Sequence, residues 1–129
     1  MNFPKELKYT KNDEWVRVEG DEASVGISDY AQDQLSDIVF VEYLVDGGDT
    51  VAKGDACATV ESVKAASEVY APVYGEIVEA NKALEDDPAT VNTDAEGGGW
   101  FYKIKVANLS DLDGLMDEAA YKAFVAELD

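Results

Sequence analysis

The sequence has no histidine, a single cysteine, three prolines and ten basic residues against 28 acidic ones in 129 positions. Each shortage excludes something. Without histidine, a Cys–His or Ser–His nucleophile pair cannot be built, and most zinc-ligand patterns disappear. Cys57 stands alone, so no internal disulfide can form. Its setting, Ala56-Cys57-Ala58-Thr59-Val60, is apolar and reads as a small buried position. The carboxylates are too scattered for a calcium loop. A net charge of −18 argues against nucleic acid, which needs clustered Lys and Arg, and against an anionic membrane surface. No apolar run approaches the roughly 20 residues that span a bilayer. The start, Met1-Asn2-Phe3-Pro4-Lys5-Glu6, lacks the basic and apolar regions of a signal peptide. These shortages lead to the expectation of a soluble intracellular protein.

What is present is a globular composition, 47% hydrophobic, in a length that suits one domain, 1–129. Glu14-Trp15-Val16-Arg17-Val18 and Ala23-Ser24-Val25-Gly26-Ile27 alternate around a turn at residues 19–22, a β-hairpin pattern. Ser28 is a suitable N-cap for a short helix from Asp29 to Leu35. Ile38 to Val45 reads as a strand that is apolar nearly throughout. Turns are expected at Asp46-Gly47-Gly48-Asp49 and Lys53-Gly54-Asp55. Strands near Ala56–Glu61 and Ala66–Ala71 join through Ser62-Val63-Lys64-Ala65, and Gly75–Asn81 and Trp100–Val106 follow. Gly75 reads as a close pairing where a side chain would clash. Lys82 to Gly99 reads as one long loop. Ser110 can cap a helical turn, and Glu118–Leu128 is amphipathic, with Tyr121, Phe124, Val125 and Leu128 on one core-packed face. The fold class expected is mainly β, a flattened barrel or sandwich, with a short helix after the N-terminal hairpin and a helix at the C-terminus.

Lys64 is the candidate functional residue. A type I turn sends its four-methylene amine into solvent. Nothing nearby suggests the burial or cationic neighbour that would make it a Schiff-base catalyst. It reads either as an ordinary turn lysine or as an amine that another enzyme acylates.

The surroundings carry a resemblance. Val51-Ala52-Lys53-Gly54-Asp55 before the lysine, and Ala71-Pro72-Val73-Tyr74-Gly75-Glu76-Ile77 after it, resemble the flanks of the modified lysine in biotinyl/lipoyl carrier domains. The neighbours Val63 and Ala65, in place of two methionines, favour the lipoyl branch. Gly26-Ile27-Ser28-Asp29-Tyr30-Ala31-Gln32, Asp37-Ile38-Val39-Phe40-Val41-Glu42 and Glu61-Ser62-Val63-Lys64-Ala65 are similar to the H-protein family of the glycine cleavage system. Glu14-Trp15, Asn81, Pro88 with Val91-Asn92, and Gly98-Gly99-Trp100 agree as well, so the resemblance runs from about Leu7 to Leu128.

That resemblance implies a carrier core at about 22–106 and a C-terminal helical segment at about 110–128. It implies lipoate in amide linkage on Lys64, with Glu61, Ser62, Val63 and Ala65 helping the attaching enzyme find the hairpin. Placement at the turn would matter more than any one neighbour, and Glu61 reads equally as a plain strand-end charge. Glu14 and Glu68 are implied near a cleft where a loaded arm docks, although Glu14 also reads as an exposed strand carboxylate. The family often has Ser-His where Asn12-Asp13 stand, His at Gln34 and Asp at Glu68. Trp15 and Trp100 read as core.

The implied partners are glycine decarboxylase, an aminomethyltransferase, dihydrolipoyl dehydrogenase and lipoate-attaching enzymes. The chain would then be a non-enzymatic carrier, a monomer, in a bacterial cytoplasm or an organelle. Alternatives are a relay of lipoyl groups to other lipoyl proteins, and an unmodified module whose acidic surface binds a basic partner.

Overall fold

The computed structural model describes residues 7–128, the side chain of Leu128 excepted. Among the described residues, nine strands form two antiparallel sheets. The larger has six strands in the order β1 (Leu7–Tyr9), β2 (Glu14–Glu19), β3 (Glu22–Ile27), β9 (Tyr102–Val106), β8 (Gly75–Ala80) and β5 (Thr50–Val51). The smaller has three, β4 (Ile38–Tyr43), β6 (Ala56–Ser62) and β7 (Ala66–Tyr70). The main core is packed between the sheets. It contains Val16, Val25, Ile77 and Ile104 from one, and Val41, Val60 and Val69 from the other. The fold is therefore mainly β, a sandwich with helices at its margins.

The hairpin of β2 and β3 follows from alternation, with Gly20 taking the left-handed conformation (φ 66°) at its turn. The predicted short helix, α1 (Asp29–Leu35), starts where Ser28 Oγ accepts the Ala31 N–H at 3.1 Å. Cys57 is fully buried, as its apolar setting suggests. A Cβ added to Gly75 would collide with the Lys105 carbonyl oxygen of β9 and lie 2.9 Å from Ile104 Cγ1. Only glycine fits that strand pairing.

Beneath the larger sheet lies a second core of Leu7, Tyr9, Trp15 and Tyr121. Tyr121 belongs to the C-terminal helix, α4 (Glu118–Leu128), and stacks on Tyr9 at a centroid distance of 4.3 Å. Phe124 and Val125 pack against the same cluster, as their spacing predicts. Leu128 was expected on that face too, but its side chain lies outside the described residues. Tyr121 Oη also donates to Asp13 Oδ1 at 2.9 Å and lies 2.6 Å from Ser28 Oγ.

Three expectations are corrected, and one strand was unforeseen. β4 stops at Tyr43 and is not buried throughout. A bulge between Ile38 and Phe40 turns both Val39 and Phe40 outward. The stretch from Lys82 to Gly99 is not one open loop. It contains two single-turn helices, α2 (Ala83–Asp86) and α3 (Thr90–Thr93), because Leu84 and Val91 drop into the main core. The cap of the 3-10 turn Leu109–Gly114 is Asn108, whose Oδ1 accepts the Ser110 N–H at 3.1 Å. Strand β1 went unpredicted, being three residues long.

Candidate functional site

Lys64 stands at the tip of the β6–β7 hairpin, exposed. Three residues, Val63, Lys64 and Ala65, lie between the strands, and a 2.8 Å hydrogen bond runs from Ser62 N–H to the Ala65 carbonyl. Short hairpin loops usually place a residue in the left-handed region. Here none of the three has a positive φ, and a side chain adds turn hydrogen bonds. Ser62 Oγ accepts the N–H groups of Lys64 at 3.1 Å and Ala65 at 3.0 Å, and donates to the Ala65 carbonyl at 3.1 Å. A serine hydroxyl replacing backbone turn bonds is a known use of that residue.

A second brace comes from outside the hairpin. The Asp37 carbonyl accepts the Val63 N–H at 3.1 Å, and Ile38 pairs with Ser62 across the ladder. Asn92 holds that segment: its Oδ1 accepts the Ile38 N–H at 2.8 Å, and its Nδ2 donates to the Ser36 carbonyl and to Gln32 Oε1, both at 2.9 Å. Val91-Asn92 and Asp37-Ile38, distant in sequence, thus support one tip. Asn81 plays a similar part lower down, donating to the Trp100 carbonyl at 2.8 Å. Gly26 lets the Trp15 indole lie flat, since an added Cβ would come within 2.7 Å of Nε1. Trp15 is fully buried, with Nε1–H bound to the Ala95 carbonyl at 2.7 Å.

Among the described residues the ion pairs are Arg17–Glu19, Lys82–Asp46 and Lys122–Glu118, and none involves Lys64. Its ammonium is free in solvent, with Glu61 and Glu68 exposed on the same hairpin. Three or more potential metal-ligating side chains do not gather anywhere among the described residues. No helix among them is long and apolar enough to cross a membrane.

Glu14 is the residue whose setting differs most from an exposed strand position: it is 1% exposed. It shares the inner face of β2 with Val16 and reaches the other sheet. Its Oε2 accepts the Tyr70 N–H of β7 at 2.7 Å, and its Oε1 accepts the Thr10 hydroxyl at 2.9 Å. Burial raises its pKa from 4.5 to about 7, opposed by those two hydrogen bonds and aided by the charge of Asp13. Glu14 also lines an open cleft of about 370 Å³ with Tyr9, Asn12, Lys53, Pro72 and Met116. Glu68 does not line that cleft. It lies on the exposed face of β7, where it accepts the Tyr70 hydroxyl at 3.2 Å. Tyr70 therefore links the two carboxylates, amide to one and hydroxyl to the other. Of the departures from the family pattern, Asn12 borders the cleft, Asp13 is engaged by Tyr121, and Gln34 is exposed on α1.

Sequence reasoning did not anticipate Thr10, Tyr70 or Asn92 as supports. The Val91-Asn92 match was a usable signal for the last; nothing local marked the other two.

Known proteins resemble this chain throughout. A family model described as glycine cleavage H-protein matches residues 7–128. A glycine cleavage system H protein from Bradyrhizobium diazoefficiens is 60% identical over 118 residues, covering 92% of this chain and 96% of the relative. One from Phenylobacterium zucineum is 58% identical over 120 residues, covering 93% and 98%. The crystal structure of a glycine cleavage system H protein from Mycobacterium marinum superposes with a TM-score of 0.84 at 35% identity, covering 98% of this chain and 99% of that one.

Proposed function

The chain belongs to the glycine cleavage H-protein family, and from that premise we propose that it is the lipoyl carrier of glycine cleavage, with Lys64 as the attachment point. It takes an aminomethyl group from glycine decarboxylase to the aminomethyltransferase, and dihydrolipoyl dehydrogenase restores it. The observation that carries the reading is the tip itself. Lys64 is one amine without an ion-pair partner on a three-residue loop braced from inside by Ser62 and from outside by Asp37. A solvated turn lysine with no role would need neither brace.

The residues fit the group. A covalent lipoyl group supplies the redox-active disulfide that accepts the transferred fragment. The chain's own work is presentation. Ser62 and Asp37 fix where the amine leaves the backbone, and the exposed tip keeps it clear of the protein. Glu14, in the cleft down the hairpin, offers a carboxylate to an amine-bearing group. Residues 22–106 form the carrier unit, with additions at both ends packed on it.

Intact mass after incubation with a lipoate–protein ligase, ATP and lipoate tests the reading. The expected result is one lipoyl group on the wild type and none on Lys64→Ala. A wild type that stays unmodified overturns it. Glycine-dependent exchange of carbon dioxide with glycine decarboxylase then separates the shuttle from a mere lipoyl relay.

A further inference from the structure

The bulge at the start of β4 does something that the hairpin alone does not require. In a half-buried strand one of two successive side chains faces the core. Here Ile38 and Val41 are buried, while Val39 and Phe40, between them, are 55% and 45% exposed. Phe40 pairs with Glu61, Ile38 with Ser62, and the Asp37 carbonyl holds the Val63 amide. The two outward side chains therefore sit beside the lysine tip. Val63 itself is 66% exposed. Three apolar side chains thus gather beside Lys64, two on β4 and one in the hairpin loop. Exposed carboxylates surround them: Asp37, Glu42, Glu61 and Glu68. An apolar centre with a charged rim of one sign is the anatomy of a protein-docking surface.

We propose that Val39 and Phe40, with Val63, are the docking face for the enzyme that acylates Lys64. That enzyme would bring an apolar socket and a basic rim to the tip. The inference rests on the carrier reading above. Reach selects this occupant. The acylating enzyme must bring its reacting carbon into bonding contact with Nζ, which lies only four methylenes from the backbone. Its surface must therefore close on the residues around the tip. Enzymes that meet the far end of a finished arm can stand further away. In the reaction the unprotonated Nζ attacks the carbonyl carbon of lipoyl adenylate, the activated acyl donor. The C–N bond forms, the C–O bond to the phosphate breaks, AMP leaves, and the nitrogen gives up a proton to base. The acidic rim speeds encounter with a basic partner, and the apolar centre holds it.

The test is the acylation rate of the full chain by a lipoate–protein ligase with ATP and lipoate. The variant Val39→Thr/Phe40→Thr puts β-branched side chains, which suit a strand, at both positions. It is expected to lower kcat/KM by about tenfold or more, expressed in KM, with an unchanged thermal midpoint. Phe40→Thr alone reads the same effect should the double variant lose stability. Leu109→Thr removes an exposed apolar side chain outside the hairpin and is expected to leave the rate alone. A wild type that is acylated and variants that match it overturn the docking face and leave the carrier reading standing. A wild type that is not acylated overturns both. An equal loss in Leu109→Thr overturns the assignment of this face. So does a normal acylation rate combined with impaired exchange by glycine decarboxylase, or with loss of a self-association seen by sedimentation in the wild type.

Discussion

Glu14 of β2 and Tyr70 of β7, 56 positions apart, are joined across the mouth of the sandwich by a 2.7 Å hydrogen bond from the Tyr70 amide to Oε2. β7 is the edge of the small sheet, and an edge amide is ordinarily left to water or to another chain. A buried carboxylate closes it here. The same bond gives the two sheets a polar tie beside an otherwise apolar core.

That burial sets a pH dependence. Glu14 has a folded pKa raised to about 7 from an ordinary 4.5. Between these values the folded chain holds a proton that the unfolded chain has released, so stability falls as pH rises through the window. Glu14→Gln removes the titration. By pH 8 the variant gains about 3 kcal/mol on the wild type relative to their difference at pH 4, at ~1.4 kcal/mol for each pH unit of displacement. Urea unfolding of both proteins at the two pH values measures it. A constant difference would show that Glu14 ionises normally in the folded chain.

Ser62→Ala removes the hydroxyl that binds both tip amides and the Ala65 carbonyl. The site is at the surface, so global stability drops by about 1 kcal/mol or less. The local effect is larger: the amides of Lys64 and Ala65 exchange with solvent severalfold faster. Hydrogen exchange resolved by residue reads this, and unchanged protection at the tip would argue against the clamp.

Asn92→Ala strips three hydrogen bonds from the segment that carries the tip. It leaves the Ile38 amide without its acceptor. We expect a loss of about 2–3 kcal/mol in denaturant unfolding, since unsatisfied groups cost more than a made bond contributes. The acylation rate of the folded fraction at Lys64 also falls.

Gly75→Ala places a methyl group against the backbone carbonyl of Lys105, which cannot rotate away. The expected cost is about 2–3 kcal/mol, seen as a lowered thermal midpoint. Gly20→Ala, with nothing within 4 Å but a φ of 66°, serves as a contrast in which only backbone strain acts.

The parts legible in the sequence were those that local rules decide. Alternation located β2, β3, β6 and β7, the hydroxyl of Ser28 located the start of α1, and helical spacing located the face of α4. The lysine tip was legible for the same reason, as a short turn, Ser62-Val63-Lys64-Ala65, between two short alternating strands. What local rules do not decide was missed. Leu7–Tyr9 is too short to show a period, and becomes a strand because Arg17, Val16 and Trp15 offer it an edge. The helical turns of α2 and α3 exist because Leu84 and Val91 find core, which no window of residues 82–99 can reveal. A bulge moved Val39 and Phe40 outward in a run that reads as buried. The resemblance placed Glu14 near a cleft, but its local pattern read as an exposed strand carboxylate, because its burial depends on a partner in the opposite sheet.

The Ser62 clamp has a consequence for search. With the loop held by a hydroxyl instead of flexible glycine, the point where the side chain leaves the backbone does not wander. Whatever Lys64 carries is tethered to the same rigid body as the Glu14 cleft. On the proposed carrier reading, docking there would be intramolecular, with an effective concentration in the millimolar range for a short flexible tether. A cleft with only millimolar intrinsic affinity would then hold such cargo about half the time, weakly enough to release it to a partner.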